Sequence, residues 1–148
     1  MSALLQLVSD NIAKTKFDSI VNPSFPSFRA MITGSTTWTD AKALRRELSQ
    51  LPVGSVIVTG DTQGVDAIAI TVATELGFSV EAMHKTEEDH LRYPDDPWKG
   101  LNDRMLETGI DLVFAFHADY GKSGMARGTK HAVELARQAE IEVRIFLA

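Results

Sequence analysis

The stretch Phe28-Arg29-Ala30-Met31-Ile32-Thr33-Gly34-Ser35-Thr36 decides the fold, because a mostly apolar run ends there in a glycine-bearing turn. The stretch Val56-Ile57-Val58-Thr59-Gly60 repeats this arrangement further along the chain. Short apolar runs of this kind predict strands that are buried on both faces, as in a parallel sheet. Each turn leads toward a segment with helical periodicity, so both stretches predict strand–turn–helix units.

The same alternation of strand and helix continues along the chain. Further strands are predicted over 78–83, 111–116 and 143–147, and helices over 40–50, 65–76 and 128–139, with another helix starting at Asp96-Pro97-Trp98. Strands joined by helices in this way cross over with a right hand and form a parallel sheet covered on both faces. The predicted fold class is therefore α/β, a Rossmann-like three-layer sandwich.

Two regions are predicted. Residues 1–27 form an N-terminal helical arm and linker, because apolar residues recur at helical spacing within 3–15 and a proline-containing stretch follows at 22–26. Residues 28–148 form the Rossmann-like domain. The arm either packs on its own domain or makes a dimer contact, and the second alternative predicts a homo-oligomer.

The composition narrows the function classes. At 148 residues with 44% hydrophobic content, the chain can bury one full core. It has no cysteine, which excludes thiol catalysis and disulfides and fits a reducing, cytoplasmic location. A formal net charge of −5 disfavours broad binding to nucleic acid. No signal peptide and no apolar run of about 20 residues is present, so no membrane partner is expected.

A third glycine-bearing loop, Lys122-Ser123-Gly124-Met125-Ala126-Arg127-Gly128-Thr129, precedes the last predicted helix. A helix N-terminus offers unpaired N–H groups and the positive end of the helix dipole, and glycine lets a ligand approach the backbone. The order Gly-x-x-x-x-Gly-Lys-Ser/Thr is absent, which argues against P-loop hydrolysis of triphosphates with magnesium. Loops after parallel strands meet at one sheet edge, so the three loops predict one anion pocket.

Several polar residues are candidates for chemistry at this edge. Asp61 is expected to accept ribose hydroxyls, whereas Asp66 is expected to cap the helix that follows. Asp61, Glu88 and His117 are the candidate catalytic acids or bases. The polar segment 84–97 is expected to be a long loop that acts as a lid, and Tyr93 or Trp98 is expected to stack on a base. His84 and His90 match no metal-ligand spacing, so neither a metal nor another cofactor is expected.

The chain from Phe28 to Ala148 resembles the SLOG superfamily, which includes DNA-processing protein A and the Lonely Guy phosphoribohydrolases, and specifically its YspA/YpsA-related branch. The resemblance rests on Thr33-Gly34-Ser35 with Trp38 and Asp40, Gly60 with Gly64-Val65-Asp66, Asn102 with Arg104-Met105-Leu106, Asp111-Leu112-Val113 with Ala115-Phe116, and Gly128-Thr129. It implies a five-stranded parallel sheet of order 3-2-1-4-5 and a pocket for nucleotides or their derivatives. The predicted ligand-binding residues are Gly34, Ser35, Thr36, Trp38, Gly60, Asp61, Gly64, Asp66, Asn102, Arg104, Ser123, Gly124, Arg127, Gly128 and Thr129.

The chain departs from the superfamily pattern at several positions. Thr36, Gln63 and Leu101 stand where basic residues are usual, so the predicted pocket is less cationic than the pattern. Ala132 stands where the Lonely Guy enzymes carry the glutamate that acts in N-glycosidic cleavage. These departures favour binding or sensing of a small phosphorylated ligand of nucleotide or ADP-ribose type. The alternatives are a hydrolase that cleaves an N-glycosidic or phosphoester bond of a nucleotide, and a single-stranded DNA-binding protein.

Overall fold

The computed structural model describes residues 27–148. Except for residue 27, the predicted N-terminal arm lies outside the described residues. The strands are β1 (Arg29–Gly34), β2 (Val56–Thr59), β3 (Ser79–Ala82), β4 (Leu112–Phe116) and β5 (Glu142–Phe146). The helices are α1 (Ala41–Leu48), α2 (Val65–Glu75), α3 (Glu87–Arg92), α4 (Trp98–Glu107) and α5 (Arg127–Gln138). Within residues 27–148, no helix is both long enough and apolar enough to span a bilayer.

All five strands run parallel in one sheet of order β3-β2-β1-β4-β5. Both the predicted α/β Rossmann-like class and the predicted strand order are confirmed. Strands β1 and β4 are neighbours, with Gly34 aligned to Phe116 at their carboxyl ends. The direction of winding reverses between these two strands, and in open α/β sheets a ligand crevice opens at that point.

The core lies on both faces of the sheet, which explains why the strands read as continuous apolar runs. On one face, Ile32 and Phe114 pack with Leu44 of α1 and Val72 of α2. The opposite face carries Met31 and Val113 in a second cluster with residues of α4 and α5. Every residue of β4 is buried. Close packing on both faces of the sheet therefore fixes the positions at which the loops after β1 and β4 begin.

The segment 84–97 is not the long loop that we predicted, because it contains the helix α3. Thr86 caps this helix: the Asp89 N–H donates to the Thr86 hydroxyl, while the Asp89 carboxylate accepts from the Thr86 N–H at 2.9 Å. This reciprocal pair is a capping box, which stabilises a first turn without help from apolar packing. The helix has little apolar periodicity, and for that reason the sequence pattern predicted a loop.

Candidate ligand-binding site

A cavity of about 560 Å³ lies at the carboxyl edge of the sheet, between the loops that follow β1 and β4. The three glycine-bearing loops predicted from the sequence all contribute to its lining, and α4 adds one wall. The predicted residues that line it are Gly34, Ser35, Thr36, Gly60, Asp66, Asn102, Gly124, Arg127, Gly128, Thr129 and His117. Trp38, Asp61, Gly64, Glu88, Arg104 and Ser123 are not among its lining residues.

The loop after β1 is fixed by backbone hydrogen bonds to its neighbours. The Ser35 N–H donates to the Phe116 carbonyl at 2.9 Å, and the Val65 N–H donates to the Ser35 carbonyl at 3.0 Å. A Cβ atom on Gly34 would lie 2.2 Å from the Phe116 carbonyl oxygen, so only glycine permits this approach. The close approach holds β1, β4 and the start of α2 together beneath the cavity.

Gly64 has a supporting role outside the cavity lining. Its φ of +77° is in the left-handed region, and a Cβ atom there would lie 2.3 Å from the Ser35 carbonyl oxygen. Glycine adopts this conformation at little cost, whereas other residues are strained in it. Gly64 therefore allows the loop after β2 to pack directly against the loop after β1.

Asp66 does not cap α2, which corrects our expectation. The helix begins after Gly64 and has no side-chain cap. Instead, the Asp66 carboxylate accepts hydrogen bonds from the Thr59 hydroxyl at 3.0 Å, the Thr62 hydroxyl at 2.9 Å and the Thr62 N–H at 3.3 Å. Burial raises the pKa of this carboxyl, and the hydrogen bonds from Thr62 and Thr59 oppose the rise. Asp61 is exposed and lies outside the cavity lining.

The N-terminus of α5 forms the opposite wall. Ala126 precedes the helix in the left-handed conformation, with φ 57° and ψ 36°, and no side chain caps the first turn. The N–H groups of the first turn, at 127–129, have no helical acceptor because they precede the first intrahelical bond. The Asn102 side chain, which is buried, donates from Nδ2 to the Gly128 carbonyl at 3.1 Å. Asn102 thus ties α4 to the start of α5.

An aromatic and charged group surrounds this wall. The Arg127 guanidinium lies 5.7 Å from the centre of the Trp98 ring and 3.0 Å from the Asp96 carboxylate. Trp98, one of the two residues expected to stack on a base, lines the cavity, whereas Tyr93, the other, does not. Lys85 also lines the cavity and was not predicted to do so. Trp98 offers a flat apolar surface, and Lys85 and Arg127 offer positive charge, so the wall suits a ligand with an aromatic part and an anionic part.

His117 is the one candidate catalytic residue in the cavity lining. Its Nδ1 accepts a hydrogen bond from the Asp119 N–H at 3.1 Å. Burial lowers the pKa of the imidazole, which favours the neutral ring at pH 7. A neutral ring that accepts through Nδ1 carries its proton on Nε2. The free nitrogen of His117 is therefore a hydrogen-bond donor, and this tautomer is unsuited to a general base.

Trp38 and Arg104 stabilise the structure around the site. Trp38 is buried, packs edge-on against Phe116, and donates from Nε1 to the Asp40 carbonyl at 2.9 Å. Arg104 reaches away from the cavity to the α3 region, where it donates to the His84 carbonyl at 2.7 Å and pairs with Asp89. Within residues 27–148, no group of three or more histidine, cysteine or acidic side chains is placed to hold a metal ion.

Replacing Arg104 with methionine is expected to lower the free energy of unfolding by about 3 kcal/mol, because the Asp89 side chain is 5% exposed and would lose its counter-charge. The hydrogen bond from Arg104 is the largest cause that lowers the pKa of Asp89, to about 2. The stabilisation that the ionised Asp89 carboxylate gains from Arg104 is therefore complete above the unfolded-state pKa of Asp89, and it is lost as the pH falls toward 2. Urea unfolding at pH 7, 4 and 2.5 measures both effects.

The matched control for this prediction is Arg92→Met, which removes an exposed arginine from the same region and should change stability by less than about 0.5 kcal/mol. The Arg104→Met variant should also lose less stability than the wild type between pH 4 and pH 2.5. Equal stability of the Arg104→Met variant and the wild type at pH 7 would contradict the assignment of Arg104 as the counter-charge of Asp89.

The chain has a relative among bacteriophage proteins. The chain is 34% identical over 128 residues to the Gene 61 protein of Mycobacterium phage D29, and the match covers 80% of this chain and 95% of the phage protein. The chain therefore belongs to the same family as that phage protein. No protein-family model matches the chain.

Two solved structures resemble the fold. DNA processing protein A from Streptococcus pneumoniae matches with a TM-score of 0.43 and 15% identity, over 82% of this chain and 59% of that chain. The C-terminal domain of the PF1911 hydrogenase from Pyrococcus furiosus matches with a TM-score of 0.44 and 16% identity, over 81% of this chain and 94% of that chain. This chain thus spans less than two thirds of the Streptococcus protein. Both likenesses concern the fold alone.

Proposed function

We propose that this member of the Gene 61 protein family binds a small phosphorylated, nucleotide-derived ligand in the cavity between β1 and β4. One observation carries the proposal: three loops rich in glycine and hydroxyl residues converge on one cavity, and the uncapped N-terminus of α5 forms its wall. Unpaired amides at a helix N-terminus are a general binding site for phosphate. The protein would act as a binding or sensing module that does not consume its ligand.

The lining residues divide into groups that fit the parts of a nucleotide. The first-turn amides of α5 and the Arg127 guanidinium suit a phosphate, because charge-assisted hydrogen bonds to anions are strong. The ring of Trp98 suits a base, since stacking on an indole buries an aromatic face. The hydroxyls of Ser35 and Thr36 suit further phosphate or ribose oxygens. A cavity of about 560 Å³ is within the size range of sites for small ligands.

The sequence motifs extend this proposal to a wider group of proteins. We infer that the chain belongs to the YspA/YpsA-related branch of the SLOG superfamily, on the order and spacing of its glycine-bearing motifs. Gly34, Gly60 and Gly128, which carry that resemblance, all line the cavity. This arrangement supports the inference because these motif positions surround the opening at the sheet edge where the superfamily pattern implies a nucleotide pocket, although Trp38, Gly64 and Arg104 of the same motifs lie outside its lining.

The structure offers less support for hydrolysis of the ligand. Ala132, at the position of the Lonely Guy glutamate, is fully buried and has no ionisable group. His117 presents a donor nitrogen, and both Asp61 and Glu88 lie outside the cavity lining. A hydrolase would need an acid or base within hydrogen-bond reach of the scissile bond. The carboxylates that do line the cavity already have partners: Asp66 accepts from Thr59 and Thr62, and Asp119 pairs with Lys122. Chromatography after incubation with nucleoside monophosphates should therefore show no free base and no free phosphate.

Thermal unfolding tests the proposed binding. A nucleotide at 100 times its dissociation constant should add about 2.7 kcal/mol to the free energy of unfolding, because it binds only the folded state. A series of AMP, GMP, CMP, UMP and ADP-ribose is expected to contain at least one compound that raises the melting temperature by several degrees. Adenosine, which lacks the phosphate, is the control and should have a much smaller effect. A melting temperature that no compound of the series changes would refute the proposal.

A further inference from the structure

We propose that Asp66 accepts a hydrogen bond from the 2′- or 3′-hydroxyl of the ribose of the bound ligand and makes the cavity selective against the analogue that lacks that hydroxyl. This inference rests on the proposed function, because it assigns one part of the nucleotide to one residue. Our sequence interpretation gave that role to Asp61. The structure moves it to Asp66, which lines the cavity, whereas Asp61 is exposed and outside the lining.

The Asp66 carboxylate is held in a fixed orientation at the cavity. The Thr59 hydroxyl donates to Oδ1 of the carboxylate at 3.0 Å, and the Thr62 hydroxyl donates to Oδ2 at 2.9 Å. Gly60 lies against it so closely that a Cβ atom there would be 2.6 Å from Oδ2. A larger residue at position 60 would displace the carboxylate. Gly60 therefore serves this contact with Asp66 in addition to forming the turn. A group that is already oriented loses little entropy when it binds a ligand.

The carboxylate also retains capacity to accept a hydrogen bond. Two carboxylate oxygens offer about four acceptor sites, and Thr59 and Thr62 together fill at most three of them. The Thr59 hydroxyl has a single proton and also lies 3.2 Å from the Ile32 carbonyl oxygen, a second acceptor. At least one acceptor position on Asp66, which lines the cavity, therefore has no partner among residues 27–148.

A hydroxyl donor suits Asp66 in either of its protonation states. Among residues 27–148, the groups that act on its pKa are Thr59, Thr62 and the carboxylate of Asp61, and none is a cation. Burial raises that pKa, so the ionised form is less favoured than in an exposed carboxyl. An ammonium group needs the ionised form. A hydroxyl can donate to the carboxylate or accept from the protonated acid, so it is compatible with both states.

Hydroxyls of this kind are what distinguish a ribonucleotide from its deoxy analogue. The cavity is lined at α5 by amides that suit the phosphate and at the β2 loop by Asp66, which suits a sugar. A site built to bond a hydroxyl discriminates against the analogue that lacks it, because its buried polar group is left without a partner. The predicted ligand class is thus a ribose 5′-phosphate with at least one of its 2′- and 3′-hydroxyls recognised.

Isothermal titration with AMP, 2′-deoxy-AMP and 3′-deoxy-AMP tests the inference. For the wild-type chain, at least one deoxy compound should bind about tenfold or more weakly than AMP, as expected for one lost hydrogen bond to a charged group. In the Asp66→Ala variant, which has neither a donor nor an acceptor in its side chain, this ratio should fall toward one. The matched control, Asp61→Ala, removes a nearby exposed carboxylate and should keep the wild-type ratio.

The wild-type comparison needs no variant, so it decides the question even if Asp66→Ala fails to fold. If AMP binds and both deoxy compounds bind equally well, the role of Asp66 is overturned while the proposed function stands. An unchanged ratio in Asp66→Ala also overturns it. If none of the three compounds binds, this inference is overturned, whereas the proposed function falls only if no compound of the thermal series binds.

Discussion

The Gly34→Ala variant is expected to be less stable than the wild type by about 3 kcal/mol and to lose detectable nucleotide binding. The added Cβ atom would lie 2.2 Å from the Phe116 carbonyl oxygen and 2.7 Å from Cγ2 of Val65. The first is backbone of the fully buried central strand β4, and Val65 is itself fully buried, so neither can move without disturbing the core. Overpacking of this kind costs several kcal/mol when the surroundings cannot yield.

Urea unfolding of Gly34→Ala, followed by titration with the nucleotide that stabilises the wild type best, measures both effects. The matched control is Gly121→Ala, because no atom lies within 4 Å of the Cβ position at Gly121. The control should change the free energy of unfolding by less than about 0.5 kcal/mol and should bind the nucleotide normally. A Gly34→Ala variant with wild-type stability would show that the β1 and β4 loops are not held as closely as described.

The Gly128→Asp variant is expected to lose about 100-fold or more in nucleotide affinity while keeping its stability. Gly128 is at the start of α5, and a Cβ atom there would make ordinary contacts of 3.7 Å with the Trp98 ring. A carboxylate in the first turn interacts favourably with the helix dipole, which adds up to about 1 kcal/mol to stability. The same carboxylate competes with a phosphate for the first-turn amides and repels it.

The opposite signs of these two effects make the Gly128→Asp experiment specific. Loss of affinity together with loss of stability would point to misfolding, whereas loss of affinity alone points to the anion site. Gly121→Asp adds the same charge to an exposed loop position and should leave affinity within about twofold of the wild type. Nucleotide affinity that is unchanged in Gly128→Asp would exclude the α5 N-terminus as the phosphate site.

The fold class and the edge of the sheet at which the cavity opens could be predicted from the sequence because their signals are local and repeated, whereas the strand order was implied by the resemblance to the SLOG superfamily. Two apolar runs, one through Met31 and Ile32 and one at 56–59, end in glycine turns. Buried parallel strands generally have this sequence pattern. The edge at which the three loops meet then follows from the direction of the parallel strands. No long-range contact had to be known.

The details that sequence interpretation missed depend on contacts between distant segments. Arg104 pairs with Asp89, and Asp66 accepts hydrogen bonds from Thr59 and Thr62. The sequence offers several possible partners for each of these side chains and does not show which of them lies close in the fold. Lys85, which lines the cavity, lies in the connection between β3 and α3, and α3 itself was predicted to be a loop. The capping-box pattern of Thr86 and Asp89 was the one local signal that could have revealed that helix.

A crystal structure of the chain with the nucleotide that stabilises it best would show directly whether the cavity between β1 and β4 binds the phosphate. We expect phosphate density within about 3.2 Å of the first-turn N–H groups of α5, in the cavity lined by Ser35 and Thr129. Nucleotide density at any other part of the surface, with this cavity filled only by water, would refute the proposed binding site.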